Sequence, residues 1–139
     1  MTGIYQHTID AKGRLFIPAR LREKLGETFH VTISFTDKCL SAYSEEGWDR
    51  LMARISSYPR VKQKQVRAIF AHAADCELDS QGRILLPQAL RAYAGLDKNV
   101  AVVGNGETAE FWDADKWAEV DSIETTPEKL AEVALEMDL

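Results

Sequence analysis

At 139 residues, 45% of them apolar, the chain has the length and composition of one compact domain with its own core. No stretch approaches the roughly 18 apolar residues of a membrane-spanning helix. Met1-Thr2-Gly3-Ile4 runs into strand-like sequence without the apolar segment of a secretory leader, so a cytosolic protein is expected. The net charge of −5 hides an asymmetry: residues 1–70 carry 12 Lys/Arg against 7 Asp/Glu (+5), residues 71–139 carry 5 against 15 (−10). An acidic total therefore does not exclude a polyanionic partner, because the distribution of charge is what steers one.

In chain order, Tyr5 to Ile9 reads as a short strand, followed by Asp10-Ala11-Lys12-Gly13-Arg14. An Asp side chain can accept from backbone amides just ahead of it, and glycine supplies the positive φ that closes a short hairpin loop. Leu15-Phe16-Ile17 suits a return strand. Pro18 sits where the first helical position is expected, Leu21 and Leu25 give a one-sided apolar stripe, and Gly26 marks the stop. A strand from Phe29 to Ser34, a turn, and another apolar stretch from Cys39 to Tyr43 complete the unit.

Ser44 caps a helix with Trp48, Leu51, Met52 and Ile55 on one face. Pro59 ends it. A second helix then places Arg60, Lys64 and Arg67 on one side, either as a solvated surface or for phosphate contact.

From residue 74 the unit recurs. Asp79-Ser80-Gln81-Gly82-Arg83-Ile84-Leu85-Leu86-Pro87 repeats residues 10–18 at an offset of 69. The gapless offset also aligns Leu21-Arg22 with Leu90-Arg91, Gly26 with Gly95, Val31 with Val100 and Trp48 with Trp117, giving nine identities in 42 positions between 7–48 and 76–117. Strands are expected at 74–78, 84–86, 100–103 and 109–112, with a helix between Pro87 and Gly95. One supersecondary unit is thus used twice, and two copies too small to bury a core alone can pack on each other as a pseudo-dimer. The acidic end from Glu119 includes a helix start at Thr126-Pro127-Glu128, with Leu130, Val133, Ala134 and Met137 at helical spacing. The expected organisation is a first repeat over 4–48, a helical connector over 49–72, a second repeat over 73–118 and an acidic helix or tail over 119–139.

No catalytic constellation, phosphate loop or dinucleotide fingerprint is present, so an enzyme is not expected, nor a cofactor or small-molecule substrate. His7, His30 and His72 have no metal-ligand spacing, and Cys39 and Cys76 read as buried or half-buried thiols in a reducing compartment. Asp10 and Asp79, each with Gly three and Arg four residues on, suit turn closure better than acid–base chemistry. Arg14 and Arg83 admit two compatible roles. Each can pair with the Asp of its own motif and lock the hairpin, or present a planar fork to guanine edges or phosphate oxygens.

The twice-repeated Asp-x-x-x-Arg motif, each copy followed by an apolar triplet, Pro and a Leu-Arg pair, closely resembles the MraZ family of bacterial regulators. The opening Gly-x-Tyr-x-His-Thr-Ile-Asp-x-Lys-Gly-Arg and the later Cys-Glu-Leu-Asp-x-x-Gly-Arg make the match specific, and it runs from about Ile4 to Val120. The resemblance implies an α+β fold, mainly β with short helices: a double-split β-barrel of two SpoVT/AbrB-type swapped-hairpin repeats. It implies a ring-like homo-oligomer, associated with the nucleoid, that binds double-stranded DNA at short direct repeats upstream of the division and cell-wall gene cluster. The expected DNA-binding residues are Arg14, Arg83, Lys12, Arg20, Arg22 and Arg91, with Asp10, Gly13, Asp79 and Gly82 shaping the turns. Ser80-Gln81 in place of Ala11-Lys12 removes one positive charge, so the second copy is expected to contact DNA less strongly. The rival reading is an antitoxin-like or scaffold module that binds protein and uses the same arginines as hairpin locks.

Overall fold

Eight strands and seven helices are formed by residues 1–139, all of which the computed structural model describes. In the first half these are β1 (Ile4–Thr8), β2 (Arg14–Phe16), α1 (Ala19–Leu25), β3 (Thr28–Ile33), β4 (Leu40–Tyr43), α2 (Glu45–Ser56), α3 (Arg60–Gln65) and α4 (Arg67–Ala71). The second half adds β5 (Ala74–Glu77), β6 (Arg83–Leu85), α5 (Gln88–Ala94), β7 (Asn99–Asn105), β8 (Thr108–Asp113), α6 (Ala114–Glu124) and α7 (Pro127–Glu136). The fold is α+β. Helices hold 42% of the residues and strands 28%, but the strands carry most of the core.

The Asp-x-x-Gly-Arg turns do reverse the chain, with Ile9 bridged to Leu15, yet the arms of each turn do not pair with each other over their length. They cross to the other repeat. The main sheet has the order β1-β7-β8-β4-β3-β5, so β1 borders the second repeat's hairpin and β5 borders the first's. β2 and β6 form a separate two-stranded ribbon. The sheet is open, with β1 and β5 as its edges.

A pseudo-two-fold axis follows from the register. Leu15 pairs with Ile84 at the centre of the ribbon, and Ser41 pairs with Glu110 at the centre of the sheet; both pairs are 69 residues apart in sequence. The offset is not uniform, however. β3 pairs with β4 through His30 and Tyr43, whereas β7 pairs with β8 through Val100 and Asp113, so β7 has slipped by two residues and Val31 corresponds to Val102 rather than Val100. Two extra residues between Gly95 and Asn99 cause the slip, and a tighter turn at Gly106-Glu107 absorbs it. Because side chains alternate with period two, a slip of two keeps the same faces inward. Val31, Val100 and Val102 are all fully buried.

Leu15 and Ile84 from the ribbon, Leu21, Leu25, Leu90 and Ala94 from α1 and α5, and Phe29, Val31, Leu40, Val100, Val102 and Phe111 from the sheet form one core between the two layers. Each of these side chains except Ala94 contributes about 1.5–3 kcal/mol by leaving water. On the opposite face of the sheet, His30 stacks on Trp48 of α2 at 5.0 Å, the Thr32 hydroxyl donates to the Ile69 carbonyl of α4, and Trp112 packs on Trp117 of α6. The connector helices and α6 therefore lie behind the sheet, away from the ribbon.

Pro18 and Pro87 occupy the cap position rather than the first helical turn. Their ψ values of 142° and 144° are extended, and each carbonyl accepts from the amides three and four residues on. Thr126 and Pro127 take the expected cap and first-turn positions of α7. Beyond Pro59 the connector holds two short helices, α3 and α4, where one was expected, because Val66 (φ −111°, ψ 14°) interrupts the run.

Candidate nucleic-acid interface

Each loop is built by its own aspartate. Asp10 Oδ1 accepts from the backbone N–H groups of Lys12 (3.0 Å) and Arg14 (2.9 Å), while Oδ2 accepts from Arg14 Nε at 2.6 Å. Asp79 repeats the pattern, with Gln81 N at 2.8 Å, Arg83 N at 2.9 Å and Arg83 Nε at 2.9 Å. Gly13 and Gly82 hold φ of +85° and +77°, a region that side chains with a Cβ rarely adopt. The Arg14 amide holds the Asp10 carboxyl below its ordinary 3.8, with the Arg14 side chain and Lys12 amide adding to the effect and partial desolvation opposing it. Asp79 is lowered in the same way, first by the Arg83 amide.

A lowered carboxyl in the folded state stabilises the loops at pH values above 3.8 and ceases to do so as pH falls through the folded value below it. Thermal melts followed by circular dichroism from pH 7 to pH 2.5 are expected to show this. The Asp10→Asn, Asp79→Asn double variant loses less stability below pH 3.8 than the wild type does.

In both arginines only Nε is engaged, so both Nη amines of each fork keep their donors. Their side chains are 34% and 27% exposed, enough to reach a ligand and too little to wander freely. With Leu15 and Ile84 turned inward, Arg14, Phe16, Arg83 and Leu85 share the outer face of the ribbon. Arg14 stands opposite Leu85 and Arg83 opposite Phe16, which places the two arginines on a backbone diagonal about 7–8 Å apart. Phe16 is sheltered by the His7 ring at 5.0 Å and the Arg22 guanidinium at 5.2 Å, whereas Leu85 is 61% exposed.

Lys12 is exposed in the first loop. Arg22 and Arg91 do something that sequence reading missed. The Arg22 guanidinium packs against Gly82, in the loop of the other repeat, and Arg91 packs against Gly13. Arg91 Nε donates to the Leu86 carbonyl at 3.0 Å, while Arg22 Nε is buried without a partner. Any side chain at either glycine would collide with the arginine beneath it. The repeated Leu-Arg pair was the available signal, but nothing in one copy says that its arginine serves the other copy's loop. Arg20 is exposed beside Met1, Thr2, Glu23 and Lys24, and is not drawn into this cross-repeat arrangement.

No three His, Cys, Asp or Glu side chains are arranged to hold a metal ion. Burial pushes the Cys39 thiol up to about 12, helped by the Glu110 charge, and the Cys76 thiol up to about 11, so both stay protonated at neutral pH. No helix is long and apolar enough to cross a membrane.

The family model described as "MraZ protein, putative antitoxin-like" matches twice, over residues 1–68 and 69–133. A transcriptional regulator MraZ of Acetivibrio thermocellus is 48% identical over 138 residues, covering 93% of this chain and 95% of that protein. Its counterparts in Carboxydothermus hydrogenoformans and Heliobacterium modesticaldum are 49% identical over 118 residues and 42% identical over 141, the latter spanning 99% of this chain. Two family matches in tandem, on a fold that exchanges strands between its halves, agree with relatives similar across nearly the whole chain: it belongs to the MraZ family of transcriptional regulators, a non-enzymatic class.

Proposed function

We propose that this chain regulates transcription by binding double-stranded DNA through the β2–β6 ribbon and its two loops. The observation that carries the reading is the pair of symmetry-related arginines, each clamped at Nε and free at both Nη atoms, on one exposed ribbon. A two-stranded ribbon fits the major groove, where an arginine fork meets guanine O6 and N7 in a bidentate contact. Leu85 beside Arg14 offers an apolar contact to a thymine methyl. Lys12 adds a phosphate contact in the first loop, and Arg22 and Arg91 contribute positive charge from beneath the loops. The Asp–Arg pairs are hairpin locks as well, so the two roles expected of these arginines coexist.

One ribbon per chain offers few contacts. Several copies in a ring, each meeting one short direct repeat, gain affinity through effective concentration. On this reading the repeats (4–48 and 73–118) supply the DNA face, and the connector (49–72) and acidic end (119–139) are left for assembly. By family resemblance the target lies upstream of the division and cell-wall genes, and the protein is nucleoid-associated in the cytoplasm.

Fluorescence anisotropy on such an upstream duplex, against a scrambled one and at two salt concentrations, tests this. The expected result is selective binding that weakens steeply with salt, because neutralised phosphates release counterions. A folded protein with no affinity for DNA would instead leave the arginines as locks and direct attention to a protein ligand.

A further inference from the structure

Behind the sheet lies a groove of about 560 Å³ between α2 and the α3–α4 pair, on the face remote from the ribbon. Its apolar surface comes from Met52, Ile55 and Phe70, and its wall carries Arg60, Lys64 and Arg67. From Arg50 to Ala74 the chain has six Lys/Arg and not one Asp or Glu. A duplex seated on the ribbon does not reach this face, and a phosphate backbone has no use for an apolar floor.

The opposite character is found at α7. None of its side chains is buried, and Leu130 and Met137 are 57% and 64% exposed on one stripe with Val133. From Glu119 to Leu139 there are seven acidic residues and a single Lys. Glu128, Glu132 and Glu136 line the far side of the helix at i, i+4 spacing, where like charges destabilise a helix standing alone. A helix about 10 Å wide keeps those charges near one Debye length of the groove wall, close enough for steering and for relief of that repulsion.

We infer that α7 of one copy docks its Leu130–Val133–Met137 stripe into the connector groove of a second copy. Both halves are present in each chain and neither is filled within it, which favours a neighbour over the chain's own helix. The contact is head-to-tail, so each copy offers one helix and one groove, and such a contact generates a closed ring when its rotation allows. The inference rests on the ring assembly proposed above and names the surfaces that make it.

The test uses two full-length variants, Met52→Glu in the groove and Leu130→Glu with Val133→Glu on the helix. All three positions are exposed, so no core packing is lost, and circular dichroism verifies folding. Masses are read by light scattering after size exclusion. The expected result is that each variant alone runs as the 15.6 kDa monomer, and an equimolar mixture forms a dimer of twice that mass that grows no further. In that dimer the intact helix of one variant fills the intact groove of the other. Variants that keep the wild-type mass, or folded monomers that do not recombine, overturn the docking while leaving the ring reading intact. A monomeric wild type overturns the ring reading, and this inference with it.

Discussion

Arg14→Ala is expected to weaken binding to the cognate duplex by about 1–3 kcal/mol, roughly 5- to 150-fold, with Arg83→Ala costing less. The two are not equivalent despite the pseudo-symmetry. Arg14 is somewhat more exposed and shares its loop with Lys12, whereas Arg83 shares its loop with Gln81. If Arg14 meets a base, the loss is confined to the cognate sequence and discrimination against the scrambled duplex narrows. If it meets only phosphate, affinity for both duplexes falls together and the salt slope drops by about one. Titrating both variants on both duplexes at two salt concentrations separates the cases. Arg14→Lys sharpens the result, since lysine keeps the charge but loses the two-pronged fork; failure of this variant to restore binding is expected at a base contact. Equal affinity of wild type and both alanine variants for the cognate duplex would sink the assignment.

The second large effect concerns the frame that holds the two loops. Leu15→Ala is expected to destabilise the protein by about 2–5 kcal/mol, lowering the melting temperature on the order of 10 °C. Leu15 has no exposed surface, sits on the pseudo-two-fold axis opposite Ile84, and ties the ribbon to the sheet beneath it. Truncating it leaves a cavity where the two repeats meet, and local collapse is resisted because both sides of the ribbon are pinned by their own loops. Leu85→Ala, one residue beyond Ile84 but on the outer face, is expected to change the melting temperature little. Differential scanning calorimetry at one fixed protein concentration distinguishes the pair. Near-identical melting for the two variants would show that the ribbon does not depend on its inward side chains.

Much of this was legible in the sequence because the signals are local. Asp10 and Asp79 bond amides two and four residues ahead, Gly13 and Gly82 supply φ near +80°, and Leu21 with Leu25 marks one helix face; all are visible within a dozen residues. What was not legible depends on distant parts of the chain. The exchange of β1 and β5 between repeats was expected only through the family resemblance and involves no local preference, since either strand would suit its own hairpin equally well. The two-residue slip of β7 leaves the in–out pattern unchanged and so leaves hydrophobic periodicity unchanged. The packing of Arg22 on Gly82 and Arg91 on Gly13 exists only once the two halves are superposed across the axis. Pro18 and Pro87 mark the helix starts correctly but one position early, because their extended ψ lets the carbonyl rather than the ring begin the helix.

The exchange of strands also has a bearing on how the chain is made. β1 leaves the ribosome well before its partner residues, which run from Asn99 to Val103, so Ile4 waits 99 positions for Val103. At about 5–20 residues per second, that is on the order of 5–20 s during which the first strand has no partner of its own. In a cell translating many copies at once, an unpaired β1 can join the β7 of another nascent chain before its own β7 has been made. The short length of β1, five residues with polar Gln6 and Thr8 among them, limits that hazard.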